Sequence, residues 1–290
     1  MAWERAKGMI LLARPLIIVA GLLAFSTGAC MAFWRLGMLP LAETTAGLAI
    51  MVSAILMGHY ANEYADFDTD SVTRRTLFSG GSGVLPSGVV PRSWALYAAA
   101  VFLGLTASLI AACYALGLIN WSVVFLVAIG APLGWFYSMP PLRLERTWLG
   151  ELDNALLGTM MFLIGYMAPT GVLDLEVIAL SVPIFLAVLA NLLTVHYVDR
   201  RADEIVGKRT MAVVLGARTI RLFAFLVGLL YALSLPLMVL LPIPVVICFF
   251  ATVPVAIWAI HGFVRDGGPQ YGSVLMASFF IFVAIGFMLA

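Results

Sequence analysis

The chain has 290 residues, of which 63% are hydrophobic and only 11% are charged, and its formal net charge is +1. A soluble domain carries about 25% charged residues, so this composition excludes a water-soluble globular protein and indicates an integral membrane protein. The near-neutral charge argues against nucleic acid or another strongly acidic partner.

Nine apolar runs are long enough to cross a lipid bilayer as helices of about 20 residues. They cover roughly residues 14–34, 41–61, 94–117, 120–138, 150–172, 176–197, 220–241, 243–264 and 270–290. We therefore predict an all-α, polytopic membrane protein, in which a bundle of about nine transmembrane helices forms a single domain over residues 1–290.

The basic residues lie almost entirely on one side of this nine-span arrangement. Of the 16 lysines and arginines, all except Arg35 fall before or at the start of span 1 or in the loops after spans 2, 4, 6 and 8. Cytoplasmic loops carry such an excess, which predicts a cytoplasmic amino terminus in a prokaryotic cell membrane. The long polar loops at 62–93, 138–149 and 198–219 share that side, and we expect the active site there.

The end of span 2 and the following loop read NEYADFDTDSVTRRTLFSGG over residues 62–81. Asn62, Asp66 and Asp70 are four residues apart, so on a helix they form a column along one face. Like charges at this spacing repel each other. A hard divalent cation held by oxygen ligands, such as Mg²⁺, would offset the repulsion. A solvated helix end that happens to be acidic is the structural alternative.

The glycine-rich loop 76–93 lacks the P-loop signature, and we interpret it as a mobile cap over the site. Further along the chain, Glu151 and Asp153 stand at the start of span 5, where the helix dipole favours acidic residues. A position beside a bound substrate is the functional alternative for these two acids. Asn191 lies within span 6, where its polar side chain either lines a cavity between the helices or forms a hydrogen bond with a neighbouring helix. His59 is either a base or a structural residue.

The end of span 6 repeats the acidic arrangement in VDRRADEIVGKRT, which begins at Val198. Asp199 and Asp203 form a second pair of carboxylates one helical turn apart. Basic residues follow both motifs: Arg74, Arg75, Lys208 and Arg209. Two such motifs fit one ligand, because the carboxylates would hold magnesium ions, the ions a diphosphate, and the cations its remaining oxygens.

A diphosphate at a membrane surface implies an isoprenoid diphosphate, with its head at the cytoplasmic rim and its tail among the helices. Magnesium and arginine would stabilise the departing diphosphate, and an electron-rich partner would attack the allylic cation that remains. Asp66 and Asp199 occupy corresponding positions, which suggests an internal repeat of spans 1–4 and 5–8.

The chain resembles the UbiA superfamily of membrane prenyltransferases over nearly its full length. The resemblance is carried by ARP at the start of span 1, NEYADFDTD, YSMPPLRLERTWLGE after span 4 and DRRADEIVGKRT after span 6. It implies Mg²⁺-dependent transfer from a polyprenyl diphosphate to an aromatic acceptor within the lipid bilayer. RRTLFSGGSGVLPSG is similar to the menaquinone branch, whose acceptor is 1,4-dihydroxy-2-naphthoate. Other acceptors stay open: 4-hydroxybenzoate, another lipid-quinone precursor or geranylgeranylglyceryl phosphate.

The resemblance also implies roles for residues outside the two acidic motifs. Tyr137, Ser138 and Arg143 would line the diphosphate and the reaction centre, where the tyrosine face can shelter an allylic cation. We count Tyr137 as catalytic together with the four motif aspartates. Arg14, which precedes Pro15, would reach the diphosphate. The structural alternatives are that Tyr137 is an aromatic anchor at the membrane interface and that Arg14 is a positive-inside anchor.

One departure from the family pattern stands before the second aspartate pair. Relatives often place Asn and then Pro shortly before it, whereas this chain reads TVHYVD over residues 194–199. The departure leaves open how this end of span 6 holds its substrate, and a different acceptor is one explanation. His196 in this stretch is either a base or a structural residue.

Two rival classes share some of these features. A transporter would carry its acids near the bilayer midplane on broken helices, whereas here the acids lie at helix ends. The CDP-alcohol phosphotransferases carry a D-G-x2-A-R signature that this sequence lacks. A terpene cyclase of the UbiA fold stays open as an alternative.

Overall fold

The structure is a computed structural model and describes residues 2–72 and 81–290. These residues form 13 α-helices: α1 Ala2–Leu12, α2 Pro15–Leu36, α3 Leu41–Ala65, α4 Phe67–Asp70, α5 Arg92–Ala115, α6 Trp121–Ser138, α7 Leu149–Thr170, α8 Leu175–Ile205, α9 Met211–Leu215, α10 Arg218–Ser234, α11 Ile243–Phe250, α12 Val253–Asp266 and α13 Gln270–Met288. Short 3-10 helices cover Leu144–Arg146 and Leu235–Val239. The predicted all-α class is confirmed.

Eight helical stretches of the described chain are long and apolar enough to cross a membrane, and they correspond to eight of the nine predicted spans. The remaining span is α7, which has 22 residues but does not belong to this apolar set. Polar residues such as Glu151 and Asp153 lower its hydropathy, and more than half of its residues are buried in the bundle. The protein is therefore a multi-pass membrane protein with α7 as an interior helix.

The backbones of α2 and α7 touch where they cross. A Cβ atom on Gly28 of α2 would overlap the Phe162 carbonyl oxygen, and one on Gly165 of α7 would overlap the Phe25 carbonyl oxygen. Small residues allow membrane helices to approach this closely. The crossing lies within the main apolar core, to which Phe25 and Phe162 both belong.

One predicted span is broken, and the structure adds one helix that was not predicted. The added helix is α1, which precedes span 1 and is separated from α2 at Arg14, a residue with a left-handed backbone (φ 52°) directly before Pro15. Span 8 is divided into α11 and α12, and Pro254 lies in the first turn of α12. Proline lacks the amide hydrogen that would continue each ladder, so the prediction of one unbroken helix at 243–264 was wrong.

The described part of the glycine-rich loop packs against α1. Val84, Leu85 and Val90 are buried in a second apolar core, together with Leu12 of α1. A Cβ atom on Gly8 of α1 would press against Val90. Apolar packing therefore joins this stretch to α1, and Gly81 and Ser82 at its start line the cavity described below. The mobility predicted for the loop stays a prediction.

Candidate active site

A cavity of about 470 Å³ lies among α2, α3, α6, α7, α8 and α13. One end is polar and is lined by both acidic motifs, and the other end is apolar. The polar lining includes Arg14, His59, Asn62, Asp66, Asp70, Tyr137, Glu145, His196, Asp199, Asp203 and Lys208. The apolar lining includes Met51, Ile55, Leu126, Met161, Val188, Leu192 and Phe280. The cavity therefore suits an amphiphilic molecule with a polar head and an apolar tail.

The first acidic motif keeps its helical register through the end of α3. The Asp66 amide donates to the Asn62 carbonyl and the Asp70 amide to the Asp66 carbonyl, both at 2.8 Å, although α3 ends at Ala65 and a short helix follows. Asn62, Asp66 and Asp70 all line the cavity. Asp68 lies on the opposite side and is exposed. The predicted column of three oxygen-bearing side chains is therefore present.

Asn62 joins this column to the loop after α6. Its amide nitrogen lies 2.9 Å from Asp66 Oδ2, 3.0 Å from Ser138 Oγ and 3.0 Å from Glu145 Oε2. Asn62, Ser138 and Glu145 are all buried. Ser138 thus contacts the site through Asn62, and it is not among the residues that line the cavity.

Lys208 connects the second motif to the first. Its Nζ atom lies 2.5 Å from Asp66 Oδ1 and 3.4 Å from Glu145 Oε2. Burial would raise the pKa of Asp66, but the Lys208 ammonium outweighs it and holds that pKa below its usual value. Burial and the Asp66 charge raise the pKa of Glu145 to about 9. Burial by itself would lower the pKa of Lys208, but the charges of Asp66 and Glu145 outweigh it and raise that pKa above its usual value.

Arg14 and the loop after α4 surround Asp70. The Arg14 Nε donates to Glu63 Oε1 at 2.5 Å, and its Nη2 lies 3.9 Å from Asp70 Oδ2. Glu63 also accepts from the Ser82 amide at 2.9 Å and from the Ser82 hydroxyl at 2.6 Å. A Cβ atom on Gly81 (φ 65°) would overlap the Asp70 carboxylate. Burial raises the pKa of Asp70 to about 7, against the opposing effect of Arg14.

The second acidic motif lies in the last turns of α8. Asp199 and Asp203 line the same cavity as the first motif, and the Lys208 amide donates to the Asp203 carbonyl at 2.8 Å. Thr210, which also lines the cavity, begins α9, and its hydroxyl accepts from the Val213 amide. The turn between α8 and α9 therefore directs the Lys208 side chain back toward Asp66.

The two histidines have different surroundings. His59 Nδ1 lies 2.6 Å from the Ala13 carbonyl oxygen, to which it donates, so His59 supports the break between α1 and α2. His196 Nδ1 lies 3.0 Å from Glu151 Oε1. Glu151 is fully buried. The Asp153 carboxylate is buried and makes no hydrogen bond with the described residues.

Two predicted diphosphate ligands lie away from the cavity. Arg143 and Arg209 are exposed and do not line it. The Arg209 amide donates to the Arg146 carbonyl at 2.8 Å, which joins the two loops through their backbones. Arg74 and Arg75 fall outside the described residues. Diphosphate contacts by these four arginines stay predictions.

Glu145, Glu63 and Ser82 belong to the site but were not among the residues predicted for it. Glu145 stands within YSMPPLRLERTWLGE, which carried the family resemblance, so that motif contained a usable signal. Glu63 directly follows Asn62 in the first motif. Its pairing with Arg14 and Ser82 is between residues 49 and 19 positions apart, and no local spacing indicates it.

The polar end of the cavity has more acidic than basic groups. Among its described lining residues, five carboxylates (Asp66, Asp70, Glu145, Asp199 and Asp203) face two permanent cations, Arg14 and Lys208. The described residues contain no preformed cluster of three metal-ligating side chains. Magnesium usually binds through one or two carboxylates together with waters and substrate phosphates. This set of oxygen donors therefore fits Mg²⁺ ions that arrive with a diphosphate.

Comparisons with known proteins agree with this arrangement. The model of the UbiA prenyltransferase family matches residues 22–286. The 1,4-dihydroxy-2-naphthoate octaprenyltransferase of Bacillus subtilis (strain 168) is 27% identical over 225 residues, which are 75% of this chain and 70% of that protein.

Solved structures share the fold across almost the whole chain. A UbiA homolog from Archaeoglobus fulgidus bound to DMAPP and Mg²⁺ has a TM-score of 0.72 at 16% identity, covering 97% of this chain and 99% of its own. A digeranylgeranylglyceryl phosphate synthase has a TM-score of 0.69 at 18% identity, covering 99% and 98%. The family match extends over more than half of the sequence. The chain therefore belongs to the UbiA prenyltransferase family and is an enzyme that transfers prenyl groups.

Proposed function

We propose that this enzyme carries out Mg²⁺-dependent transfer of a prenyl group from a polyprenyl diphosphate to an aromatic acceptor, and that the acceptor is 1,4-dihydroxy-2-naphthoate. The observation that carries the proposal is that both acidic motifs line the polar end of a cavity whose other end is apolar. A polyprenyl diphosphate has the same division between a charged head and a hydrocarbon tail.

The acidic end would bind the diphosphate head. Asp66, Asp70, Asp199 and Asp203 would hold Mg²⁺, which when bound neutralises the charge of the departing diphosphate. Asn62, also predicted as a ligand, would orient Asp66 through the 2.9 Å hydrogen bond.

Lys208 and Arg14 would bind diphosphate oxygens, because both cations line the cavity beside these carboxylates. Each now pairs with an acid of the site, so a diphosphate would share or replace that partner. Charge-assisted hydrogen bonds of this kind are stronger than neutral ones. They would stabilise the charge that develops on the diphosphate as the allylic C–O bond breaks.

Tyr137 lines the cavity, and the face of its ring would stabilise the allylic cation through its π electrons. A ring carbon of the acceptor then forms the new C–C bond. The ring recovers its aromaticity when the attacked carbon loses its substituent, either a proton or carbon dioxide. The apolar walls exclude water, which would otherwise trap the cation as an alcohol.

The acceptor assignment is supported by the similarity to the Bacillus subtilis 1,4-dihydroxy-2-naphthoate octaprenyltransferase and by the glycine-rich segment noted in the sequence. A competition experiment tests it. The purified enzyme receives equal amounts of 1,4-dihydroxy-2-naphthoate and 4-hydroxybenzoate with geranylgeranyl diphosphate and Mg²⁺, and mass spectrometry identifies the products. We expect the prenylated naphthalene to dominate.

Other products would contradict different parts of the proposal. Prenylated benzoate as the main product would refute the acceptor assignment and leave aromatic prenyl transfer standing. A cyclised or hydrolysed prenyl chain, with both acceptors unused, would refute aromatic transfer. Full activity in EDTA would refute the role of Mg²⁺.

We further propose that the acidic end of the cavity faces the cytoplasm, and that the single domain arose from a repeat of spans 1–4 and 5–8. Arg35 supports the orientation because it pairs with Glu176 at 3.4 Å, at the end of the bundle opposite the acidic motifs. The repeat is supported by the close crossing of α2 and α7, the first helices of the two halves, and by the acidic motifs on their second helices, α3 and α8.

A further inference from the structure

One wall of the cavity carries polar groups that diphosphate binding does not use. Asn154 of α7, together with Asn191 and His196 of α8, lines the cavity. Within the described chain the Asn154 side chain makes no hydrogen bond, and the Asn191 amide uses only its oxygen, which accepts from the Ser273 hydroxyl at 2.9 Å. Polar groups inside a membrane protein face a cavity or a partner. These three therefore offer hydrogen bonds to a bound molecule.

The packing of α7 against α8 places the three side chains on one strip. Glu151 meets His196 at 3.0 Å, and a Cβ atom on Gly158 would lie 3.0 Å from Val188. These two contacts define the antiparallel register of the helices. Between them, Asn154 and Asn191 lie about one helical turn deeper in the cavity than His196.

The depth of the strip matches the position of the reacting carbon. His196 precedes Asp199 by three residues and Asn191 precedes it by eight, so the two lie about 4.5 Å and 12 Å from it along the axis of α8. The reacting carbon of an allylic diphosphate is bonded directly to a diphosphate oxygen. A ring that attacks this carbon must therefore bind just beneath the carboxylates, beside the strip.

Glu151 lies beside His196 and pairs with its ring. Its Oε1 atom accepts from the Met211 amide at 2.7 Å and lies 3.0 Å from His196 Nδ1. The other ring nitrogen, Nε2, has no partner in the described chain and belongs to a side chain that lines the cavity. A carboxylate on one nitrogen of a histidine fixes the ring orientation and leaves the other nitrogen for a ligand.

We propose that His196, Asn154 and Asn191 form the acceptor subsite, which binds a hydroxylated aromatic ring through its hydroxyl groups, and that Glu151 is the positioning residue for His196. This inference rests on the proposed prenyl transfer and adds the residues that select the acceptor. A site that hydrogen-bonds a hydroxyl group discriminates strongly against an analogue without it.

The test uses the purified enzyme and three variants, His196→Phe, Asn191→Leu and Glu151→Gln. KM is measured for 1,4-dihydroxy-2-naphthoate, for its monomethyl ethers and for geranylgeranyl diphosphate, and equilibrium binding of the naphthoate is measured without the diphosphate. We expect each variant to raise the KM and the Kd of the naphthoate about tenfold, the effect of one lost hydrogen bond. The KM of the diphosphate should stay within about twofold of wild type.

Two comparisons separate recognition from a structural effect. In His196→Phe the preference for the free hydroxyl over the methyl ethers should disappear, whereas His196→Gln, which keeps a hydrogen-bonding group, should retain part of it. His261→Gln is the matched control, because His261 is exposed and bonds only within its own helix, to the Ile257 carbonyl.

Unchanged naphthoate KM and Kd values in all three variants would overturn the subsite, and so would an equal rise in KM for both substrates. If wild-type enzyme prenylates no acceptor while the variants still weaken naphthoate binding, the proposed function fails and the subsite stands.

Discussion

The two aspartates of the first motif have different neighbours, and the consequences differ between them. Asp66 is paired with Lys208. Asp70 is buried near Asp66 and Glu63, with Arg14 as its cation. Burying a carboxylate without sufficient positive charge is costly. The acidic end of the cavity is therefore prepared for additional cations.

Removal of one carboxylate from either motif should nearly abolish turnover. We expect Asp66→Asn and Asp199→Asn each to lower kcat by roughly 10²–10³-fold, the usual effect of losing one electrostatic contact to the transition state. Product formation from labelled geranylgeranyl diphosphate measures the effect. EDTA should reproduce it, and added Mg²⁺ should restore the activity of the wild-type enzyme.

Asp68 provides the matched control for that experiment. It lies between Asp66 and Asp70 in the sequence but is exposed, so Asp68→Asn should retain most of the activity. A loss as large as that of Asp66→Asn would show that the acidic residues act through their summed charge rather than through their place in the cavity.

Mg²⁺ binding should weaken as the pH falls below about 7. Burial raises the pKa of Asp70 to about 7, so the metal-free site holds a proton there below that pH. Mg²⁺ requires the carboxylate and must displace this proton, which lowers its apparent affinity by up to about tenfold per pH unit. Magnesium titrations of activity between about pH 6 and about pH 8 measure this dependence.

The same titration in Asp70→Asn tests the assignment. That variant has no proton to lose at this position, so its remaining magnesium dependence should vary less across the same range. An equally steep dependence in the variant would assign the titration to another group.

At the scale of the helices, the close crossing of α2 and α7 is the most sensitive contact. Gly28→Val should lower the thermal stability of the detergent-solubilised protein, because the new side chain overlaps the α7 backbone at Phe162. Overpacking of this kind costs roughly 1–3 kcal/mol. The midpoint of thermal unfolding, followed by tryptophan fluorescence, measures the change.

Gly104→Ala in α5 is the control for this substitution. A Cβ atom there would meet nothing within 4 Å, and alanine is favoured over glycine inside a helix. Its midpoint should equal or exceed that of the wild type. Equal midpoints for Gly28→Val and wild type would mean that the two helices can separate at no cost.

At the scale of the whole molecule, the alternation of the helices places the polar loops at one end. The proposed orientation predicts which loops a membrane-impermeant thiol reagent reaches in intact cells. In a background without Cys30, Cys113 and Cys248, Val172→Cys should be labelled from outside. Glu204→Cys should be labelled only after the membrane is opened. Both target residues are exposed.

Labelling of both positions from the same side would contradict the alternation of the spans. Labelling of Glu204→Cys alone in intact cells would instead invert the orientation and place the acidic end of the cavity outside. Either result would leave the cavity itself unchanged.

Much of this molecule could be predicted from local properties of the chain. Hydropathy over about 20 residues indicated the spans, and the four-residue spacing of Asn62, Asp66 and Asp70 indicated their common face. Both signals are local, because helix geometry alone relates the residues involved. The burial of α7 inside the bundle, the separate helix α1 before Arg14 and the break between α11 and α12 were not predicted, since they depend on helix packing and on proline in its local setting.

The sequence by itself determined an all-α membrane enzyme whose two acidic motifs lie at the same end, because span lengths, charge bias and motif spacing are properties of the chain. Only the tertiary structure decided the partners: Lys208 with Asp66, Arg14 with Glu63, and His196 with Glu151. These pairs join residues that are 45–142 positions apart, and no local spacing relates them. In each of them a buried charge or imidazole gains its partner only when separate helices and loops pack around one cavity, because burial is what makes an unpaired group costly.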